Sequence, residues 1–578
     1  MKILLVAVNA SYMHTSLAIR SISNYLKSLI EKDNTSELEV YTEEFTINQP
    51  YAEILRKIAD SNADVVVFST YIWNTCVIEK IIPDVKKVLD VIIGAGGPEF
   101  SYAPEVYFSK LKALDFIVNG EGEITCWDFF SELSNKGFSK RDFSFINFIN
   151  IPGLYFYDRN QSKVITTGLR DLISDLDTIP FCYPELLTEN SDPDHKIYYF
   201  ESSRGCPYSC SYCLSSVDKS VRFKSIEKVF AELKIFLDAD VGLVKFVDRT
   251  YNLQPDRYIS IWNYILNNHN GKTMFHFEIE AEFLTEEALE FLQKVPKGIM
   301  QFEIGVQSCN EKTLLAIHRS PNVERLAQNV KRIPSTIHQH LDLIAGLPYE
   351  DLAAFGLSYD FVMALKPDAL QLGFLKILHG TDMEKYAKEN GWKWQENAVY
   401  ETFSTPYMPF KDIMYLKDVE VLTDAFWNKH NFNSTCKFLF RYLSPWKFIT
   451  ELCDFCHKQK TFEAARRDLY WYDILFNFFE FARKNVLFME LNQECYDVLY
   501  DTLRYDFVSS GKKGNFPQWY HHRYDKDKHR NLLQQKGLLH STRLAFALTE
   551  FEAFDYDVRS DEPEKAKGNF ELLITYNG

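Results

Sequence analysis

No stretch of the 578 residues approaches the ~18 consecutive apolar side chains that span a bilayer, so no membrane crossing is expected. An excess of basic charge is also missing. The 64 Lys+Arg against 80 Asp+Glu leave a net charge of −16, which gives no counterion-release drive toward a phosphate backbone, and no nucleic-acid partner is expected. Glycine and proline are scarce, at 23 and 20, while 46% of the chain is apolar; collagen-like, low-complexity and disordered classes are excluded. A secretory leader is wanting. Residues 2–8 are apolar enough for a short signal core, but Asn9, Tyr12 and His14 interrupt them and no small-residue cleavage pattern follows, so a cytoplasmic location is expected. Eleven cysteines are too few and too uneven for a disulfide framework, and any that cluster are read as metal or redox groups. At about 150 residues per domain the length provides for three or four folded units.

In the first 135 residues, β-rich runs at 3–8, 38–41, 64–69, 91–94 and 116–118 alternate with amphipathic stretches carrying Ile22, Leu26, Leu29 and Ile30, then Ile54 to Ile58, then residues 78–89. That alternation predicts a doubly wound α/β domain, whose ligand sits beyond the carboxyl ends of the strands. Four loops are candidates: residues 9–14, 69–73 with Ser69 and Tyr71, 94–98 with Gly96 and Gly97, and 119–123 with Glu121 and Gly122. Glycines there let backbone approach a bulky ligand. The dinucleotide spacing of glycines is absent after the first strand, which disfavours NAD.

Past a proline-bearing polar linker, residues 197–201 form a strand-like run that leads into Ser203-Arg204-Gly205-Cys206-Pro207-Tyr208-Ser209-Cys210-Ser211-Tyr212-Cys213. Three thiolates at x3 and x2 spacing on one loop can wrap a corner of an iron–sulfur cluster or of zinc. Zinc needs a fourth ligand, and the nearest downstream Cys or His is the distant His269. A cubane needs none, and its open iron is left for a ligand; inert buried thiols are the remaining alternative.

This loop resembles that of the radical S-adenosylmethionine (SAM) enzymes, whose three-cysteine motif follows the first strand of a partial (βα)6 barrel. The resemblance implies that Cys206, Cys210 and Cys213 hold a 4Fe-4S cluster, with Tyr212 at the motif's aromatic position and SAM on the open iron. Together with the upstream α/β domain, the chain is similar to the cobalamin-binding branch from residue 1 to about 385. In that light the first domain is flavodoxin-like and binds cobalamin, with Tyr12, His14, Ser69, Tyr71, Gly96, Gly97, Glu121 and Gly122 at the corrin. The Asp-x-His-x-x-Gly loop of cobalamin domains that bind cobalt through histidine, commonly absent in the radical branch, is not kept: Tyr12 and Leu17 stand at its Asp and Gly positions around His14, which leaves the lower axial ligand of cobalt open.

Farther on, residues 242–247 end in Asp248-Arg249-Thr250-Tyr251-Asn252, and residues 275–280 aim Glu278 and Glu280 the same way, an arrangement that suits a cationic group. Glu303, Gly305 and Gln307 likewise share a side of residues 300–306. By resemblance Asp248 and Asn252 are candidates for the SAM amino group, and Glu303, Gln307 and Ser308 for the ribose and sulfonium region. Gly346, closing the run from His340, flanks adenine, and Arg319 matches an arginine that follows the glutamine–serine pair. Asp342 and Arg319 equally suit a buried ion pair or a cap.

From about residue 385 helix-like periodicity dense in Phe, Tyr and Trp predicts a mainly helical C-terminal domain with an aromatic core. Its Cys453-Asp454-Phe455-Cys456-His457 matches a haem-attachment pattern but lacks the export context that chemistry needs, and reads as an inert thiol pair. Residues 511–523 mix Lys512, Lys513, Trp519, Tyr520 and Arg523 and read as a solvated turn. The expected division is 1–140 cobalamin-binding domain, 141–195 linker with a small β segment, 196–385 radical SAM barrel and 386–578 helical domain. The resemblance implies generation of a 5′-deoxyadenosyl radical from SAM and methylation of an unactivated carbon via methylcobalamin. The alternatives are cyclisation or oxidative rearrangement with the same cofactors, or a non-catalytic corrinoid or iron–sulfur binding protein. Expected partners are a small-molecule, lipid or peptide substrate and a reductant such as flavodoxin or ferredoxin.

Overall fold

The computed structural model describes residues 1–32, 37–135, 144–188, 195–216, 218–464, 466–511, 516–538 and 542–575. Lys512 and Lys513, and most of the polar linker at 189–196, lie outside them. Two compact units account for the chain: Met1–His340 with Gly346–Tyr349 and Phe374–Tyr407, and Leu341–Ala345 with Glu350–Gly373 and Met408–Gly578.

In the first unit, strands β1 (Lys2–Asn9), β2 (Glu39–Thr46), β3 (Val65–Ser69), β4 (Ile92–Gly96) and β5 (Phe116–Val118) lie parallel in the order 2-1-3-4-5, the flavodoxin-like order. Period-two alternation divides the core between the two faces. Leu4, Val6, Val8, Val66 and Phe68 pack on one side, and Ile3, Leu5, Ala7, Val65 and Val67 on the other. Burial on both faces is why β1 and β3 read as unbroken apolar runs rather than alternating ones. Helices Leu17–Lys32, Tyr51–Asp60, Thr75–Val88 and Gly122–Asn135 connect them. β6 (Leu154–Asp158) and β7 (Lys163–Thr166), in the segment expected between domains, form a hairpin that continues this sheet antiparallel to β5, with Phe116 opposite Phe156.

A second set of strands follows. β8 (Ile197–Phe200) leads to the two-residue antiparallel pair β9 (Ser203–Arg204) and β10 (Arg222–Phe223), which closes the base of the cysteine loop. β11 (Leu243–Phe246), β12 (Met274–Ile279) and β13 (Met300–Gln307) are parallel to β8 in the order 8-11-12-13. Helices follow the strands, and Ser225 and Thr285 cap two of them by accepting from the backbone N–H of Lys228 and Ala288. On β13, Met300, Phe302, Ile304 and Val306 are buried, while Gln301, Glu303, Gly305 and Gln307 share the opposite, half-buried side.

In the second unit helices Phe410–Thr423, Pro445–Lys458, Asp468–Lys484 and Gln493–Ser509 pack aromatic side chains together, as their periodicity predicts. An antiparallel hairpin, Thr549–Tyr556 with Lys567–Thr575, adds a β element that periodicity did not reveal. Cys453 and Cys456 are fully buried on one helix, which fits inert thiols. Among the described residues no helix is long and apolar enough to cross a membrane.

Candidate functional site

The cysteine loop leaves β9 through Gly205, whose φ of +94° and whose ideal Cβ position, 1.8 Å from the Ser220 carbonyl oxygen, admit only glycine. Cys206 is buried, Cys210 and Cys213 are half-buried, and all three thiols are free. The loop is pinned by its backbone: Cys206 N–H donates to Asp218 O, Cys213 N–H to Cys210 O and Ser211 N–H to Ile317 O. Behind it Arg319 Nη2 donates to both Glu280 oxygens and to Gly305 O, and Nη1 stands 4.0 Å from Cys210 Sγ. Burial pushes the Cys210 thiol up, and Arg319 pulls it back toward the thiolate. Among the described residues no three His, Cys, Asp or Glu side chains gather closely enough for a single metal ion.

Two arginines tie the loop to the first domain. Arg204 donates to Glu201, Glu121 and Glu123, the last at 2.6 Å, and Arg222 donates to Glu121 at 2.8 Å. Burial would lower the Arg204 pKa, but Glu123 and Glu201 hold it well above the usual arginine value. These links carry the end of β5 and the start of helix Gly122–Asn135 to the cysteine loop.

Between the strand-end loops of the first sheet and the ends of β8, β11 and β12 lies a cavity of about 820 Å3, near the top of the ~300–1,000 Å3 range of cofactor pockets. Its first-domain wall includes Asn9, His14, Ser69, Tyr71, Gly96, Gly97, Glu121 and Gly122; Tyr199, Glu201, Arg204, Lys245, Arg249 and Glu278 form the barrel-side wall. Gly97, at φ +106°, turns the chain so closely past Thr70 that a Cβ would lie 2.5 Å from its carbonyl oxygen. Buried Asn74 donates to the carbonyls of Val8 and Ser69 and accepts from Tyr71 N–H, fixing two of the loops. His14 Nδ1 is 2.6 Å from Tyr199 Oη. Burial, then Lys245, lowers the His14 pKa.

Inside the barrel strands, Lys245 Nζ is 2.9 Å from Glu303 and 3.6 Å from Glu278. His276 Nε2 is 2.9 Å from the same Glu303 oxygen. Burial would raise the Glu303 pKa, but the His276 hydrogen bond and the Lys245 charge hold it down at about 2.

Seven of the eight residues expected at the corrin thus meet at one cavity. Tyr12 stands apart from them: it is 69% exposed, is not among the residues lining the cavity, and its ring receives Lys196 at 3.5 Å. Of the residues expected at SAM, Arg319 and Tyr212 stand with the cysteine loop. Gln307, at φ +68°, has a buried Oε1 without a partner. Asp248 accepts from Ser202 N–H and the hydroxyls of Ser202 and Ser203. Asn252 exchanges two hydrogen bonds with the Glu280 backbone. Both hold the barrel's own backbone, because each follows a strand end and turns inward onto the neighbouring strand. Ser308 accepts from Asn310 N–H, Glu303 is paired as above, and Gly346 turns the chain at φ +87°. Arg204, Glu123, Asn74, Tyr199 and Lys245 were not singled out in the sequence, since their roles depend on partners far along the chain.

Compared with known families, residues 3–129 match the B12 binding domain and residues 200–362 the radical SAM superfamily. The chain thus joins a B12-binding domain to a radical SAM domain. Residues 388–574 match a family described as a protein of unknown function, DUF4080. An uncharacterised methyltransferase of Pyrococcus horikoshii is 24% identical over 67% of this chain and 82% of its own length. The cobalamin-dependent radical SAM methyltransferase TokK of Streptomyces tokunonensis is 26% identical over 50% of this chain and 44% of its own. Among solved structures, the cobalamin-dependent SAM radical enzyme OxsB aligns at TM-score 0.60 and 15% identity, covering 93% of this chain and 84% of that one. TsrM from Kitasatospora setae aligns at 0.53 and 15%, covering 69% and 79%.

A radical SAM domain implies a 4Fe-4S cluster and SAM, a B12-binding domain implies cobalamin, and the residues present fit these groups. Three free thiols on a glycine-closed loop are a cluster donor set, the orphaned Gln307 Oε1 is an acceptor awaiting a ligand donor, and the glycine-floored cavity is open enough for a large ring.

Proposed function

We propose that this protein is a cobalamin-dependent radical SAM enzyme that methylates an unactivated carbon of its substrate. The observation that carries the reading is the cavity shared by the first domain's strand-end loops and the barrel mouth, tied to the cysteine loop through Arg204. When bound, the reduced cluster with SAM supplies a hydrogen-abstracting radical, and cobalamin supplies a transferable methyl group.

The chain's own residues bind and orient. Cys206, Cys210 and Cys213 present the thiolates, and Arg319, neutralised by Glu280, keeps a positive charge beside Cys210. Arg204 and Arg222 hold the loop's base against Glu121. The glycine turn at Gly97 and the Asn74 bracket set the cavity floor. Within this proposal the 1–140, 196–385 and 386–578 segments are the working domains. A flavodoxin or ferredoxin is the electron source, the substrate is a small molecule, lipid or peptide, and the cytoplasm is the setting, where eleven free thiols persist.

The test is anaerobic reconstitution followed by iron, sulfide and cobalamin quantitation, then incubation with SAM and reductant. Release of 5′-deoxyadenosine with S-adenosylhomocysteine beside it supports the proposal. Cleavage without S-adenosylhomocysteine turns it toward cyclisation or oxidation, and a Cys210→Ala chain that keeps its cluster and cleaves SAM overturns it.

A further inference from the structure

The register of β12 and β13 sets Glu278 directly beside Glu303, so two carboxylates share one level of the barrel interior. One ammonium serves both, unequally: Lys245 lies 2.9 Å from Glu303 but 3.6 Å from Glu278. Glu303 has the His276 ring as well. Among the described residues Glu278 accepts no side-chain hydrogen bond, although its side chain is only 26% exposed and faces the cavity. Glu280, the other carboxylate aimed this way, is taken up by Arg319. Arg249 lies beyond the end of β11 on the same cavity and forms no ion pair with Glu278. A largely buried carboxylate that lies beside another and shares its ammonium, at 3.6 Å, is a group short of counter-charge.

Resting on the proposed function, we infer that Glu278 receives the ammonium group of a cationic substrate at the barrel mouth. The bound amine donates to the Glu278 oxygens, completes two cations for two carboxylates, and is fixed in the cavity that the cofactor domains share. Lys245 sets the depth, since its charge repels an ammonium that moves farther toward Glu303. Hydrogen bonding to a sheltered carboxylate separates an amine from a neutral analogue of equal size, because the analogue leaves the charge unpaired.

The test uses the reconstituted full chain and two probes of matched shape, dansylcadaverine and its neutral N-acetyl derivative, in equilibrium dialysis. The wild-type chain is expected to retain the amine about tenfold more tightly than the amide, a preference lost in Glu278→Gln and kept in Glu278→Asp. Equal binding of both probes by the wild type, or an unchanged preference in Glu278→Gln, overturns the assignment. SAM affinity is measured on the same samples. A loss of about tenfold in Glu278→Gln assigns the carboxylate to the SAM ammonium and also overturns it. Iron and cobalamin contents separate the two claims: a chain that binds neither cofactor defeats the proposed function, whereas the amine preference is decided by dialysis alone.

Discussion

Arg319 grips Glu280 through a single nitrogen, Nη2, at 2.7 and 2.8 Å from the two carboxylate oxygens, which leaves Nη1 turned toward Cys210 Sγ. The glutamate holds the guanidinium in place and the guanidinium charge serves the cysteine loop. Replacing Arg319 by Met strands a largely buried carboxylate, and removal of one partner of such a pair costs about 3 kcal/mol. Arg319→Met should therefore lower the urea midpoint of the chain and reduce iron retained after reconstitution. Arg319→Lys should recover iron only in part, because an ammonium cannot span both contacts. Iron retention equal to wild type in the Met variant would remove Arg319 from the cluster's surroundings.

Gly97 and Gly120 both have positive φ, +106° and +79°, and both line the cavity, yet they differ in what a methyl would meet. At Gly97 a Cβ lies 2.5 Å from Thr70 O; at Gly120 nothing lies within 4 Å. Gly120→Ala should cost only the ~1–2 kcal/mol of a left-handed alanine. Gly97→Ala must also push the cavity floor away from the β3 loop. Cobalamin absorbance after gel filtration should fall sharply for Gly97→Ala and stay near wild type for Gly120→Ala.

Much of this was legible in the sequence. The continuous apolar runs of β1 and β3 announced strands buried on both faces, and the cysteine spacing announced the loop. The glycine-bearing strand ends pointed to the cavity walls. What was not legible is orientation after a strand stops. Asp248 and Asn252 follow β11 by two and six residues, and only the fold brings them to Ser202, Ser203 and the Glu280 backbone. The placement of Tyr12 was hidden in the same way, because the turn after β1 carries it outward to Lys196. The Arg204–Glu121–Glu123 links join residues more than eighty positions apart, a distance across which neither spacing nor periodicity carries information.

Glu303 predicts a pH dependence. Its folded pKa of about 2 lies below the usual 4.5, so the unfolded chain binds the proton more readily. The stability it contributes is complete above pH 4.5 and is lost as pH falls toward 2. The difference amounts to about 3 kcal/mol at neutral pH. Urea midpoints measured from pH 6 down to 3 should fall more steeply for wild type than for Glu303→Gln, which cannot ionise. Parallel curves would show that the Lys245 and His276 contacts do not persist in solution.

Arg504 is the least exposed cation of the C-terminal unit, at 0%. It donates to Asp501 at 2.9 Å, to Glu552 on the terminal hairpin at 2.6 Å, and to the carbonyls of His521 and Ala553. The guanidinium links the helix Gln493–Ser509 to the strand Thr549–Tyr556, beside the Asp555 and Tyr556 N–H groups that donate to Asp501. Arg504→Met would leave Asp501 and Glu552 buried without their counter-charge, a loss of about 3–5 kcal/mol. Arg504→Lys keeps the charge but cannot reach four acceptors, so it should fall between wild type and Met. Limited proteolysis should report the hairpin's release as early cleavage within residues 549–575 in the Met variant. Because Glu552 also accepts from Tyr520 Oη and Arg523 N–H, the double variant Arg504→Met/Glu552→Gln should regain part of the lost stability, as removing a stranded charge does when its hydrogen-bonding atoms remain.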